Sequence, residues 1–220
     1  MLRISPDKVK EENEMTLTFY TNPMSRGQIA RWALHEAGAE YEQVVLDYNT
    51  TMKADDYLQI NPMGKVPAIV HDGKVVTEGA AICAYLAEIR PDAGLTPNDV
   101  ERADYYRWMF YAAGSLETAI SNNSLGFNVN PEQERTVGYG SYDQVIEVLD
   151  QKFSDDDFVC GERFTMADVY VGAQIIWGTL FETIAKRDSF LAYAERLTTR
   201  DAYLKAKAID DALIAEIQNQ

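Results

Sequence analysis

The stretch from Asn61 to Ile82 constrains the fold most. Val66–Val70 and Lys74–Thr77 are two short β-rich runs separated by Asp72-Gly73, a hairpin signal. Behind them Ala80, Ala81, Ile82, Cys83, Tyr85, Leu86 and Ile89 keep a helical period until Arg90-Pro91 stops it. Pro67 has no N–H to give a ladder, so it belongs at a strand entrance, and the Val66–Pro67 bond is expected to be cis there. Val66, just ahead of it, can offer its own N–H and C=O to an extended peptide as another strand would. Glu78 stands where the helix begins, beside the free N–H groups of residues 79 to 81, which make a carboxylate site. A carboxylate next to an anion-binding helix end suits the zwitterionic head group of an amino acid. Taken alone, an ordinary hairpin followed by a helix accounts for the same stretch better.

The segment ahead of it adds weight to the binding reading. Met15–Tyr20 alternates and is β-rich, Thr21–Met24 is a turn, and Ile29, Ala30, Ala33, Leu34 and Ala37 share one helical face that ends at Gly38. Tyr41–Leu46 gives a second strand, and a short helix falls around Lys53–Gln59. A β-α-β opening requires a right-handed crossover, which sets the first two strands parallel. Ser25 opens the first helix. With Gln28 it has capping-box spacing, and the same hydroxyl, beside Arg26 at a helix N-terminus, can donate a hydrogen bond to a thiolate. The residues by themselves divide evenly between cap and catalyst.

Composition bounds the rest. A formal charge of −15, from 35 acidic and 20 basic residues, disfavours phosphate backbones and anionic membranes as partners. No apolar run reaches a membrane span, so no membrane partner is expected. Cys83 and Cys160, far apart, form no disulfide framework or redox pair, which fits a cytoplasmic location. With only His35 and His71, no metal is expected.

The chain divides into a charged leader (1–14), an α/β domain (15–90), a linker (91–98) and an all-α domain (99–220). In the last, Glu101–Ile120 is a helix with a dense aromatic stripe, Ser121–Asn130 a loop, and Pro131–Lys152 a second helix. Thr165 and Asp168 form a capping-box-like pair ahead of the helix that runs through Gln174 to Trp177, and this box carries no chemistry. Ser189–Thr198 and Ala202–Ile217 supply the remaining helices. Tyr105, Trp108 and Tyr111 lie on adjoining turns; helix packing is their default use, and a flat apolar wall opposite Ser25 is the functional one.

The order β-α-β-α-β-β-α, the Val66-Pro67 pair and Glu78 together resemble the cytosolic glutathione transferases, from Met15 to about Ile217. That resemblance implies a thioredoxin-like N-terminal domain followed by an all-α C-terminal domain. It also implies glutathione as co-substrate, a detoxification role and a homodimer. Val66 and Pro67 would then hold the cysteinyl part, Glu78 the γ-glutamyl amine, and Lys65 or Lys53 the glycyl carboxylate. Gly79 departs from the family's usual serine, losing a hydroxyl worth about 0.5–1.5 kcal/mol. Serine-type members place their thiolate partner where Ser25 stands, and tyrosine-type members place theirs where Tyr20 stands; Ser25 ranks first and Tyr20 second. Asp104 would reach a neighbouring subunit's ligand. The implied reaction is conjugation of glutathione thiolate to a small apolar electrophile. A glutathione-dependent isomerase and a non-catalytic binding or scaffold protein are the alternatives, and Gly79 keeps the latter open.

Overall fold

The computed structural model describes residues 17–219. The expected leader over residues 1–14, with Met15 and Thr16 of the first expected strand, lies outside the described residues.

Four strands make one mixed sheet: β1 (Leu17–Thr21), β2 (Glu42–Val45), β3 (Ala68–His71) and β4 (Lys74–Thr77), in the order β2-β1-β3-β4. β1 and β2 run parallel, joined by α1 (Gly27–Glu36), while β1–β3 and β3–β4 are antiparallel. The Asp72-Gly73 hairpin forms as its residues require, both at positive φ. The Val66–Pro67 bond is cis, and the ladder begins one residue later, at Ala68, opposite Tyr20 and Thr77. A short helix, α2 (Asp55–Leu58), and α3 (Gly79–Ile89) complete this thioredoxin-like unit. Alternation along β1 sends Phe19 into the main core, with Ile29, Leu34 and Leu86. Tyr20 points the other way, into a small cluster with Leu46, Met52 and Tyr57.

The second half is helical. α4 (Arg102–Tyr111) passes through a π-helical turn, Ala112–Leu116, directly into α5 (Glu117–Ser124). The following loop therefore starts after Ser124 rather than at Ser121. The helix expected from Pro131 begins only at Tyr142 (α6, Tyr142–Asp155). Gly140 takes φ 71°, and Ser141 caps the helix by accepting the Gln144 N–H. α7 (Met166–Leu180) is buried along most of its length; α8 (Asp188–Thr198) and α9 (Asp201–Gln218) follow. The expected capping box at the start of α7 is present in both directions. Asp168 goes further. Its Oδ1 accepts from the Val159 N–H at 2.7 Å and the Tyr193 hydroxyl at 2.9 Å, and its Oδ2 from the Thr165 N–H at 2.8 Å. Burial pushes this carboxyl up to about 6 despite those bonds.

The halves are held by packing and by charge. α9 lies along α1, and Arg31 Nε meets Asp210 Oδ1 at 2.9 Å with both side chains almost wholly buried. Arg31 Nη1 also donates to the Tyr41 hydroxyl and to Gln43 Oε1, each at 2.9 Å. Glu36 at the end of α1 receives two bonds from Arg200 at the start of α9.

Candidate active site

The turn between β1 and α1 is built around two side chains. Asn22, buried, donates to the Leu46 carbonyl at 2.7 Å and accepts the Met24 N–H at 2.9 Å, tying the turn to the end of β2. Ser25, half-buried, donates its hydroxyl to the Asn22 carbonyl at 2.6 Å and accepts the Gly27 N–H at 2.9 Å. Gly27 is required here, because a Cβ would sit 2.0 Å from Thr21 Oγ1. The expected capping box with Gln28 does not form. Gln28 instead donates to the Pro23 carbonyl at 2.5 Å, and Arg26 occupies the N-cap position. Arg26 also lies otherwise than the sequence suggests: it pairs with Glu117 of α5 at 2.9 Å, and Glu117 also accepts the Tyr170 hydroxyl of α7 at 3.2 Å.

A cleft of about 770 Å³ opens over Ser25 between the two halves. On one side it brings together Ser25, Arg26, Lys53, Lys65 and Val66. Lys53 Nζ donates to the Gly64 carbonyl at 2.5 Å, and the Lys65 carbonyl accepts from the Tyr57 hydroxyl at 2.6 Å and Asn61 Nδ2 at 2.8 Å. Those bonds fix the loop that delivers Val66, whose own N–H and C=O lie ahead of the ladder. Burial pushes the Tyr57 phenol up to about 12, so it stays a donor. Pro67 is buried behind Val66.

Glu78 and Gly79 stand outside this lining, at the start of α3. Glu78 is exposed at φ 66° and makes no capping bond, so the first N–H groups of α3 are free of it. The missing serine at position 79 has a steric counterpart. A Cβ on Gly79 would lie 3.1 Å from the ring of Tyr170, tighter than ordinary contact. Asp104, on α4, lines a separate recess with Arg107 and Lys152.

Two expectations need correction. Tyr20 is not part of the cleft lining; its ring packs 5.5 Å from that of Tyr57, in a cluster just behind the cleft residues Met52 and Val66. The apolar wall assigned to Tyr105, Trp108 and Tyr111 is not opposite Ser25 either. Tyr105 and Trp108 are 2% and 3% exposed, and the Tyr111 hydroxyl is spent on the Val145 carbonyl at 2.7 Å. α4 packs on α7, so these three join or border the core, while Tyr106 and Phe110 of the same helix stay exposed. The opposite wall comes instead from the end of α7 (Trp177, Leu180, Phe181) and from α9 (Tyr203, Lys207, Ile214). The available signals were Leu180-Phe181, two large apolar residues at the end of a buried helix, and the spacing of Tyr203, Lys207, Asp211 and Ile214 along α9.

Residues 15–88 match the family of the glutathione S-transferase N-terminal domain. A glutathione S-transferase named GstA from Escherichia coli O157:H7 is 29% identical over 189 residues, covering 83% of this chain and 90% of its own. Residues 15–88 thus match the N-terminal domain of the glutathione S-transferases, and the chain as a whole is similar to full-length members of that family. A probable glutathione S-transferase from Nicotiana tabacum is 26% identical across 90% of this chain and 86% of its own. The solved glutathione transferase from Methylococcus capsulatus superposes with a TM-score of 0.74 at 26% identity, covering 90% of this chain and all of that one. A theta-class transferase from Xanthomonas axonopodis pv. citri, solved with glutathione bound, gives 0.70 at 25% identity over 87% of this chain and 97% of its own. Among the described residues no cluster of side chains could hold a metal ion, and no helix is long and apolar enough to cross a membrane.

Proposed function

We propose that this transferase conjugates glutathione to small, flat electrophiles in the cleft over Ser25. The observation that carries this reading is the meeting, in one cleft, of the Ser25 hydroxyl, the unladdered Val66 backbone and an apolar wall from α7 and α9. Glutathione lies along Val66 with its cysteinyl N–H and C=O paired to that residue, its glycyl carboxylate toward Lys53 and Lys65, and its γ-glutamyl end at Glu78 and the start of α3. The Ser25 hydroxyl turns from the Asn22 carbonyl to donate to the sulfur. The Arg26 N–H, which has no acceptor among the described residues, is a second donor at the same helix end. The thiolate so stabilised attacks an electrophilic carbon. With an aryl chloride the C–S bond forms, the C–Cl bond breaks, chloride leaves with the bonding pair, and the thiol proton goes to water. The chain supplies a lowered thiol pKa and positioning; sulfur supplies the nucleophilicity.

A homodimer, a cytoplasmic location and a detoxifying role belong to the same proposal and are motivated by the family. Two cysteines without a disulfide partner suit a reducing compartment. The test is retention on immobilised glutathione together with turnover of 1-chloro-2,4-dinitrobenzene. Retention without turnover would reduce the protein to a glutathione-binding module. Sedimentation at micromolar concentration tests the dimer, and a monomer mass would sink it.

A further inference from the structure

The cleft is electropositive in a chain of net charge −15: its lining holds four cations, Arg26, Lys53, Lys65 and Lys207, against one carboxylate, Asp211. Three of the cations stand with Ser25 and Val66 on the glutathione side, where Arg26 is held by Glu117 and Lys53 by the Gly64 carbonyl. Lys207 is different. It sits on α9, in a stripe of residues 203, 207, 211 and 214 that spacing of three and four places on one helix face. Tyr203 and Ile214 flank it on that stripe, and Trp177, Leu180 and Phe181 supply the apolar surface beside it. Leu180 and Phe181 are 67% and 68% exposed, so this surface has no protein partner among the described residues. The neighbouring stripe, Ala206 and Asp210, is buried against α1, which fixes how α9 is turned.

A flat, wholly apolar electrophile makes no use of an ammonium group in the middle of its wall. We propose that the electrophile this cleft is built for is an aromatic molecule carrying an anionic substituent, a carboxylate or similar oxyanion. Its ring lies against Trp177 and Tyr203 and its charge against Lys207 Nζ. Asp211, at 2.5 Å one turn along the same helix, is the counter-ion that Lys207 keeps until such a ligand arrives. Both side chains are about half exposed, and an exposed pair of this kind is worth at most about 1 kcal/mol, so a ligand anion can take its place. The inference rests on the conjugation reading above and names the substrate class within it.

Two aryl chlorides of the same reaction type separate the possibilities: neutral 1-chloro-2,4-dinitrobenzene and anionic 4-chloro-3,5-dinitrobenzoate. In both, sulfur replaces chloride, and their differing intrinsic reactivity cancels when the ratio of kcat/KM values is compared between proteins. Lys207→Met keeps the length and apolar stem of the side chain, and should lower the anionic-to-neutral ratio about fivefold relative to wild type. Asp211→Asn, which frees Lys207, should raise it. An unchanged ratio in Lys207→Met overturns the proposal, whether neither rate moves or both fall together. A rise in KM for glutathione with that ratio unchanged also overturns it and assigns Lys207 to glutathione. If wild type turns over neither chloride, the conjugation reading itself fails, and this inference with it.

Discussion

Replacing Ser25 with alanine tests the mechanism where the structure gives a number. With no thiolate bound, the Ser25 hydroxyl donates to the Asn22 carbonyl at 2.6 Å, so the bond to sulfur must be exchanged for that one. A hydrogen bond to a charged group is worth roughly 1.5–3 kcal/mol, and the neutral bond given up roughly 0.5–1.5 kcal/mol. The net preference for thiolate is then about 1–2 kcal/mol, or about one pKa unit at 1.36 kcal/mol per unit. Ser25→Ala should therefore raise the pKa of bound glutathione by about one unit and lower kcat/KM at neutral pH about 5- to 30-fold. The sign is specific. A raised thiol pKa leaves less thiolate at neutral pH, and the deficit closes as pH climbs past the shifted value. Losing the bond to the Gly27 N–H also removes a turn hydrogen bond worth about 0.5–1.5 kcal/mol of stability, so rates must be corrected for folded fraction. The assay is the pH dependence of kcat/KM for glutathione in wild type, Ser25→Ala and Tyr20→Phe. Tyr20→Phe should leave the profile in place, because Tyr20 packs on Tyr57 and is not part of the cleft lining. An unshifted Ser25→Ala beside a shifted Tyr20→Phe would refute the reasoning and move the role to Tyr20. Two unshifted profiles would leave activation to the helix end and the Arg26 N–H.

Three further outcomes follow from the packing. Asp168→Ala orphans the Val159 and Thr165 N–H groups and the Tyr193 hydroxyl, all buried, and should cost at least about 3 kcal/mol by urea denaturation; a loss under 1 kcal/mol contradicts the bonding described. Arg31→Met leaves Asp210 buried without its cation and should cost about 3–5 kcal/mol, whereas adding Asp210→Leu should restore most of it; equal loss in the single and double variants would contradict the coupling. Trp177→Ala should raise KM for an aryl electrophile several-fold, while Tyr105→Phe, inside the core, leaves it unchanged; the reverse result would return the substrate wall to α4.

The sheet and its helices were legible because each carries its own local signature. Period-two runs met Asp72-Gly73 at a turn that demands positive φ, and Gly38 closed α1 at φ 58°. Thr165 and Asp168 likewise declare the start of α7 from four consecutive residues. What escaped depends on contacts between distant segments. Nothing local tells whether the aromatics of α4 face a cleft or α7, and helix packing decided that. The π-helical turn at Ala112–Leu116 and the delayed start of α6 at Tyr142 are similar: an unbroken helical pattern hides the first, and Gly138 and Gly140 outweigh the helical start suggested by Pro131. At the site, the sequence placed Ser25 and Val66 together, yet Glu117, from the second half, was needed to show where Arg26 points.

The clasp between α1 and α9 also bears on how the protein is made. Arg31 and Asp210 are 179 residues apart, so on the ribosome the first helix emerges long before the last. At about 5–20 residues per second, some 9–36 s pass between the synthesis of the two partners. During that interval the flank of α1 that carries Ile29 and Trp32 has no α9 to cover it, and apolar surface of this kind is what exposes a nascent chain to aggregation. The electrophile wall on α9 is finished equally late. A chain that terminates before residue 201 would carry Ser25, Val66 and the α7 part of the far wall, but would lack Tyr203, Lys207 and Ile214.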